Sequence, residues 1–124
     1  MPAYVLNRDK VTWRVVDDEA VIVHTETSDY FSLNESGTWL WTLLEVARTP
    51  PELSAALSAR YRHAAAETTP DVDAFVAQLT SAGLLLPEET APAAPIASTP
   101  PRDPYEPPQL VKFGNLETLI LSGE

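Results

Sequence analysis

The chain has no cysteine among its 124 residues. That excludes a disulfide framework and every thiolate metal site, and it fits a reducing compartment. Positive charge is scarce. Lys and Arg number 8 against 18 Asp and Glu, for a formal net charge of -10. Phosphate backbones are bound through Lys and Arg, so this balance argues against nucleic acid and suits a protein or peptide partner. Long apolar runs are also missing: nothing approaches the ~20 residues of a membrane span. The opening MPAYVLNRDK has no basic region followed by an apolar one, so no secretory signal is expected and the expected location is cytoplasmic, without a membrane partner. No Gly-rich phosphate loop, nucleophile–base pair or supported carboxylate dyad is visible. The two histidines, His24 and His63, lack partners at metal-ligand spacing. The expectation is therefore a non-enzyme with no cofactor and no metal.

Proline is plentiful, and unevenly placed: eight of the 12 lie between Pro87 and Pro108. Proline, alanine and acids cannot bury enough apolar surface to fold, so residues 87–104 read as a semi-extended linker. Residues 1–86 are left for a small core. Residues 105–124, PYEPPQLVKFGNLETLILSGE without its first proline, carry Leu110, Val111, Phe113, Leu116, Leu119, Ile120 and Leu121. That is a dense apolar load for a segment beyond a tether, and its docking on the domain is expected.

VTWRVV at Val11–Val16 and AVIVHT at Ala20–Thr25 are β-branched and aromatic, which suits half-buried strands. The acidic Asp17-Asp18-Glu19 between them reads as a hairpin turn, and YFSL at Tyr30–Leu33 as a third strand. Asn34 is placed to cap a helix over about Glu35 to Ala47, with Trp39, Leu40, Leu43, Leu44 and Ala47 on one stripe and Trp41 off it. Thr49-Pro50-Pro51-Glu52 has the form of a capping box with proline at the first helical position. Thr69-Pro70-Asp71 repeats that signal before a stripe of Val72, Phe75, Val76, Leu79 and Ala82, and Gly83 is placed to end the helix. Leu84–Leu86 reads as a short return to the sheet. The predicted fold is α+β: a three-stranded antiparallel meander, then three helices in a winged-helix-like arrangement, with the tail adding as an extra strand.

The ordered pieces His24 to Thr27, Tyr30-Phe31-Ser32-Leu33-Asn34-Glu35-Ser36-Gly37, Thr49 to Leu53 and Phe75 to Leu84 resemble the PqqD-like family, the RiPP recognition elements, over residues about 6 to 86. The resemblance implies a non-catalytic domain. Members bind the leader of a ribosomally made precursor peptide and present it to a modifying enzyme such as a leader peptidase or cyclase. The leader adds beside the third strand, with its apolar side chains under the third helix. Carried onto this chain, the groove is Tyr30, Phe31, Ser32 and Leu33 with Val72, Phe75, Val76 and Leu79. The tail is similar in turn to the Y-x-x-P-x-L…G pattern of lasso-type leaders, through Tyr105, Pro108, Leu110 and Gly114. Lasso-type leaders also carry a threonine before the core peptide. Thr118 is the candidate, closer to Gly114 than that pattern implies, and only Glu124 follows Gly123. The greasy tail thus reads as a ligand for its own domain, docked in cis or exchanged between two chains as a dimer.

Plainer readings exist for each part. The tail could be an ordinary terminal strand, which also predicts strand addition. Alternation along a strand places Tyr30 and Phe31 on opposite faces, and the stripe on the third helix suits core as well as groove. His24 reads as structural. A winged-helix DNA binder would need basic residues on PDVDAFVAQLTSAG, which carries two aspartates and no Arg or Lys. A structural subunit of an enzyme complex would differ only in lacking peptide specificity.

Overall fold

The sheet begins in two segments rich in β-branched residues, Val11–Val16 and Glu19–His24, and two short turns set its register. The computed structural model describes residues 3–61, 65–88 and 106–115. Strands β2 (Val11–Val16), β3 (Glu19–His24) and β4 (Asp29–Leu33) form the antiparallel meander. Asp17 and Asp18 both have positive φ, 52° and 64°. Two such residues make the tight turn whose twist matches the flanking strands. The second turn is organised by His24, whose Nδ1 accepts the N–H groups of Glu26 and Thr27 at 3.3 and 3.4 Å. The His-x-x-Thr motif is therefore a turn device, with His24 itself buried.

Three helices follow: α1 (Glu35–Leu43), α2 (Pro50–Tyr61) and α3 (Ala65–Ser81). Asn34 caps α1, accepting the Gly37 N–H at 3.0 Å. The buried Thr38 hydroxyl ties α1 to the sheet, accepting from the Ala20 N–H at 2.8 Å and donating to the Leu33 carbonyl at 3.3 Å. Thr49 and Glu52 exchange the reciprocal bonds of a capping box at the start of α2. The stripe on α1 differs from expectation. Leu40, Trp41 and Leu44 are fully buried, while Trp39 is half-buried beneath the Arg60 guanidinium, 4.6 Å from its ring centre. Trp41 meets Trp13 of β2 edge to face at 5.6 Å.

Three further departures from the sequence reading have local causes. Strand β1 (Ala3–Leu6), which the reading omitted, pairs with β5 (Leu85–Glu88) in a separate two-stranded sheet. The apolar Leu84–Leu86 therefore returns to β1, not to the meander, and β5 runs two residues past the boundary expected at 86. Helix α1 stops at Leu43 rather than Ala47 because β1 takes the next backbone groups. Leu6 N–H donates to the Leu44 carbonyl at 3.0 Å, and Tyr4 and Arg48 exchange bonds of 2.8 and 2.9 Å. Finally, α3 begins before Thr69-Pro70-Asp71, so Pro70 lies inside it. Pro70, the sixth residue of the helix, forgoes one amide bond to the preceding turn. The Thr68 and Thr69 hydroxyls bond instead to Ser54 Oγ on α2, at 2.8 and 2.9 Å.

The end of α3 follows its sequence signal. Gly83 has φ +78°, its N–H reaches the Thr80 carbonyl, and the Leu84 N–H reaches that of Leu79. This is the paired bonding of a Schellman terminus. A Cβ at Gly83 would lie 3.1 Å from His24 Nε2. Gly83→Ala is expected to destabilise the fold by about 1–2 kcal/mol from the left-handed backbone alone, read as a lowered urea midpoint. An unchanged midpoint would mean that the helix end relaxes freely.

The last described strand, β6 (Leu110–Asn115), adds antiparallel to β4, giving the sheet order β2-β3-β4-β6. The α+β architecture with the tail as an extra strand is thus the observed one.

Candidate functional site

A three-stranded meander leaves the far edge of its last strand with unpaired N–H and C=O groups. Here that edge is β4, and β6 covers it. The register sets Leu33 opposite Leu110, Ser32 opposite Val111, Phe31 opposite Lys112, Tyr30 opposite Gly114 and Asp29 opposite Asn115. The shift between Tyr30 and Phe31 leaves Phe113 as the extra residue of a bulge, which bends and twists a strand locally.

Alternation along β4 sorts the four expected groove residues. Phe31 and Leu33 are buried in the core, while Tyr30 and Ser32 lie half-buried on the other face. All four expected residues of α3, Val72, Phe75, Val76 and Leu79, are core members. Leu110 is partly buried and packs against that same core. Pro108 is buried, whereas Val111 is exposed. The apolar floor beneath the strand is therefore continuous with the core of the domain. Of the four tail-motif residues, Pro108 and Leu110 stand at this seam, Gly114 pairs with Tyr30 through the backbone, and Tyr105 lies outside the described residues.

Polar contacts also hold the added segment. Within β6, Lys112 Nζ is 3.4 Å from Asp29 Oδ1, a partly exposed pair of small energetic weight. Just ahead of β6, Asn34 Nδ2 donates to the Pro107 carbonyl at 2.8 Å, and the Gln109 N–H donates to Asn34 Oδ1 at 3.0 Å. Ser36 Oγ donates to the Glu106 carbonyl at 2.6 Å. Sequence reasoning took Asn34 as a cap only and gave Ser36 no role. The available signal was Asn34 itself, a cap residue with an amide N–H₂ to spare.

Elsewhere, burial pushes the Tyr61 hydroxyl above its usual pKa, with a hydrogen bond to Glu35 Oε1 adding to the rise. This buried phenol links α2 to the start of α1. Among the described residues no group of three His, Cys, Asp or Glu could hold a metal ion, and no helix is long and apolar enough to cross a membrane.

Fold and site together define a small α+β domain whose open sheet edge is covered by a C-terminal strand of the same chain. Residues 19–85 match the family model described as Coenzyme PQQ synthesis protein D (PqqD), and the chain belongs to that PqqD-like family. Its structure is similar to that of TbiB1 in complex with the TbiA(beta) leader peptide, with 32% sequence identity and a TM-score of 0.61 over 65% of this chain and 93% of that one. None of the curated proteins matches the chain.

Proposed function

We propose that the chain is a non-catalytic recognition domain for the leader of a ribosomally synthesised, post-translationally modified precursor peptide. The leader adds as a strand to β4 and is presented to a modifying enzyme in the cytoplasm. The chain's own tail is a leader-like occupant of that edge, held in cis or exchanged with a second copy. The carrying observation is the antiparallel pairing of β6 on β4 with Leu110 against the core. It is supported by the family match and by the leader bound in the TbiB1 structure. Strand addition suits the task, because main-chain bonds supply affinity and alternate side chains supply specificity. In this reading residues 1–86, extended by the pairing of β5, are the recognition unit, residues 87–104 a linker and residues 105–124 the leader-like segment.

The test separates the pieces. A chain ending at Glu88 is titrated calorimetrically with a synthetic peptide of residues 102–124. Saturable one-to-one binding is expected. Leu110→Ala in the peptide should weaken it by roughly tenfold, the effect of losing about 1.5 kcal/mol of apolar burial. No binding, or equal affinity for the two peptides, would sink this reading.

A further inference from the structure

Ladder pairing alone does not fix register. A strand slipped by two residues keeps its faces and most of its bonds. The segment ahead of β6, Glu106-Pro107-Pro108-Gln109, contains two residues without N–H groups, so it cannot continue the ladder as donor. Three of its backbone groups go instead to side chains at the start of α1: the Glu106 carbonyl to Ser36, the Pro107 carbonyl and the Gln109 N–H to Asn34. Asn34 therefore grips the backbone on both sides of Pro108. Its orientation is determined, because Oδ1 also accepts the Gly37 N–H and Nδ2 must then face Pro107. A Cβ at Gly37 would lie 2.9 Å from that Oδ1 and 3.2 Å from Phe75 Cζ, so the glycine keeps open the space the amide occupies.

From these contacts we infer that Asn34 and Ser36 form a register lock, a subsite for the backbone of a proline-containing extended segment directly ahead of the added strand. The inference rests on the leader-binding reading above and adds to it the means by which Leu110, and not a neighbour two places away, comes to lie opposite Leu33. The fixed φ of proline holds the gripped segment extended before it binds.

Because the native chain has no cysteine, disulfide trapping in the full chain reads register directly. Ser32→Cys is paired with Val111→Cys, its cross-strand partner, or with Gln109→Cys or Phe113→Cys, which report slips of two residues. Each pair is equilibrated in a glutathione buffer, and the cross-linked fraction is measured by mass spectrometry. Non-reducing electrophoresis separates cis from exchanged products. The Ser32–Val111 pair should dominate. Asn34→Asp keeps an acceptor for the Gly37 N–H but turns the donor facing Pro107 into an acceptor. It is expected to lower the ratio of in-register to slipped product by about fivefold or more, the worth of one net hydrogen bond. Ser36→Ala should act in the same direction, and an unfolding transition close to that of the parent chain shows that capping survives. An unchanged ratio in both variants overturns the lock while leaving strand addition intact. Absence of any cross-link in the parent pairs overturns strand addition, and the lock with it.

Discussion

Replacing Val111 and Lys112 together by proline should raise the apparent affinity of the full chain for a separate leader peptide by about two to three orders of magnitude. Successive residues of a strand turn their N–H groups to opposite sides, so two adjacent prolines must remove at least one donor aimed at β4. Proline also locks φ near -65°, away from the ideal of an antiparallel strand. Lys112→Pro removes in addition the contact with Asp29. The size of the effect comes from tethering. A flexible linker gives its occupant an effective concentration on the order of millimolar. Against an intrinsic dissociation constant of about a micromolar, the edge would then be free roughly one time in a thousand. A free leader of similar intrinsic affinity must overcome that occupancy, and the proline pair removes it. Fluorescence anisotropy with a labelled peptide of residues 102–124 measures both forms. Equal affinities would mean that the tail and the free peptide do not compete for β4.

The largest loss of stability is expected at Trp41. Its side chain is fully buried and packs edge to face on Trp13, where α1 meets β2. Truncating a buried aromatic costs about 3–5 kcal/mol in lost transfer energy and residual cavity. A domain of this size has about 5–15 kcal/mol in all, so Trp41→Ala should lower the urea midpoint steeply or leave the chain unfolded. Trp39→Ala, two residues away, should cost less, since that ring is only half-buried and its cation–π contact with Arg60 is worth about 0.5–2 kcal/mol. Chemical unfolding followed by far-ultraviolet circular dichroism compares the two. Similar losses at both positions would show that burial does not set the ranking.

The parts of the fold legible in the sequence are those specified within a few residues. The strands β2, β3 and β4, the Asn34 cap, the Thr49–Glu52 box and the Gly83 terminus each depend on neighbours in the chain, and each formed where its own residues directed. Contacts between distant segments were harder to read. Four residues, AYVL, carry no period that marks a strand, and the partner of β1 lies at the other end of the folded unit. Thr69-Pro70-Asp71 has the form of a helix start, but its threonine hydroxyl found Ser54 across the helix pair. At the candidate site, the apolar half was accessible through periodicity and family resemblance. The polar half was not, because Asn34 uses one amide both to cap α1 and to hold a segment 73 residues away.

The pairing of β1 with β5 also bears on how the domain would yield to force. In their register Ala3 stands opposite Glu88 and Leu6 opposite Leu85, so the chain enters and leaves the ladder at the same end. Tension applied between residues 3 and 88 acts across the strands, not along them. It would part the Ala3–Glu88 pair first and then each following pair in turn, like a zipper. Shearing would instead require all the hydrogen bonds to break together. A translocating unfoldase pulling on the N-terminus would also have to break the Tyr4–Arg48 and Leu6–Leu44 bonds, peeling β1 away residue by residue while the four-stranded sheet is still intact.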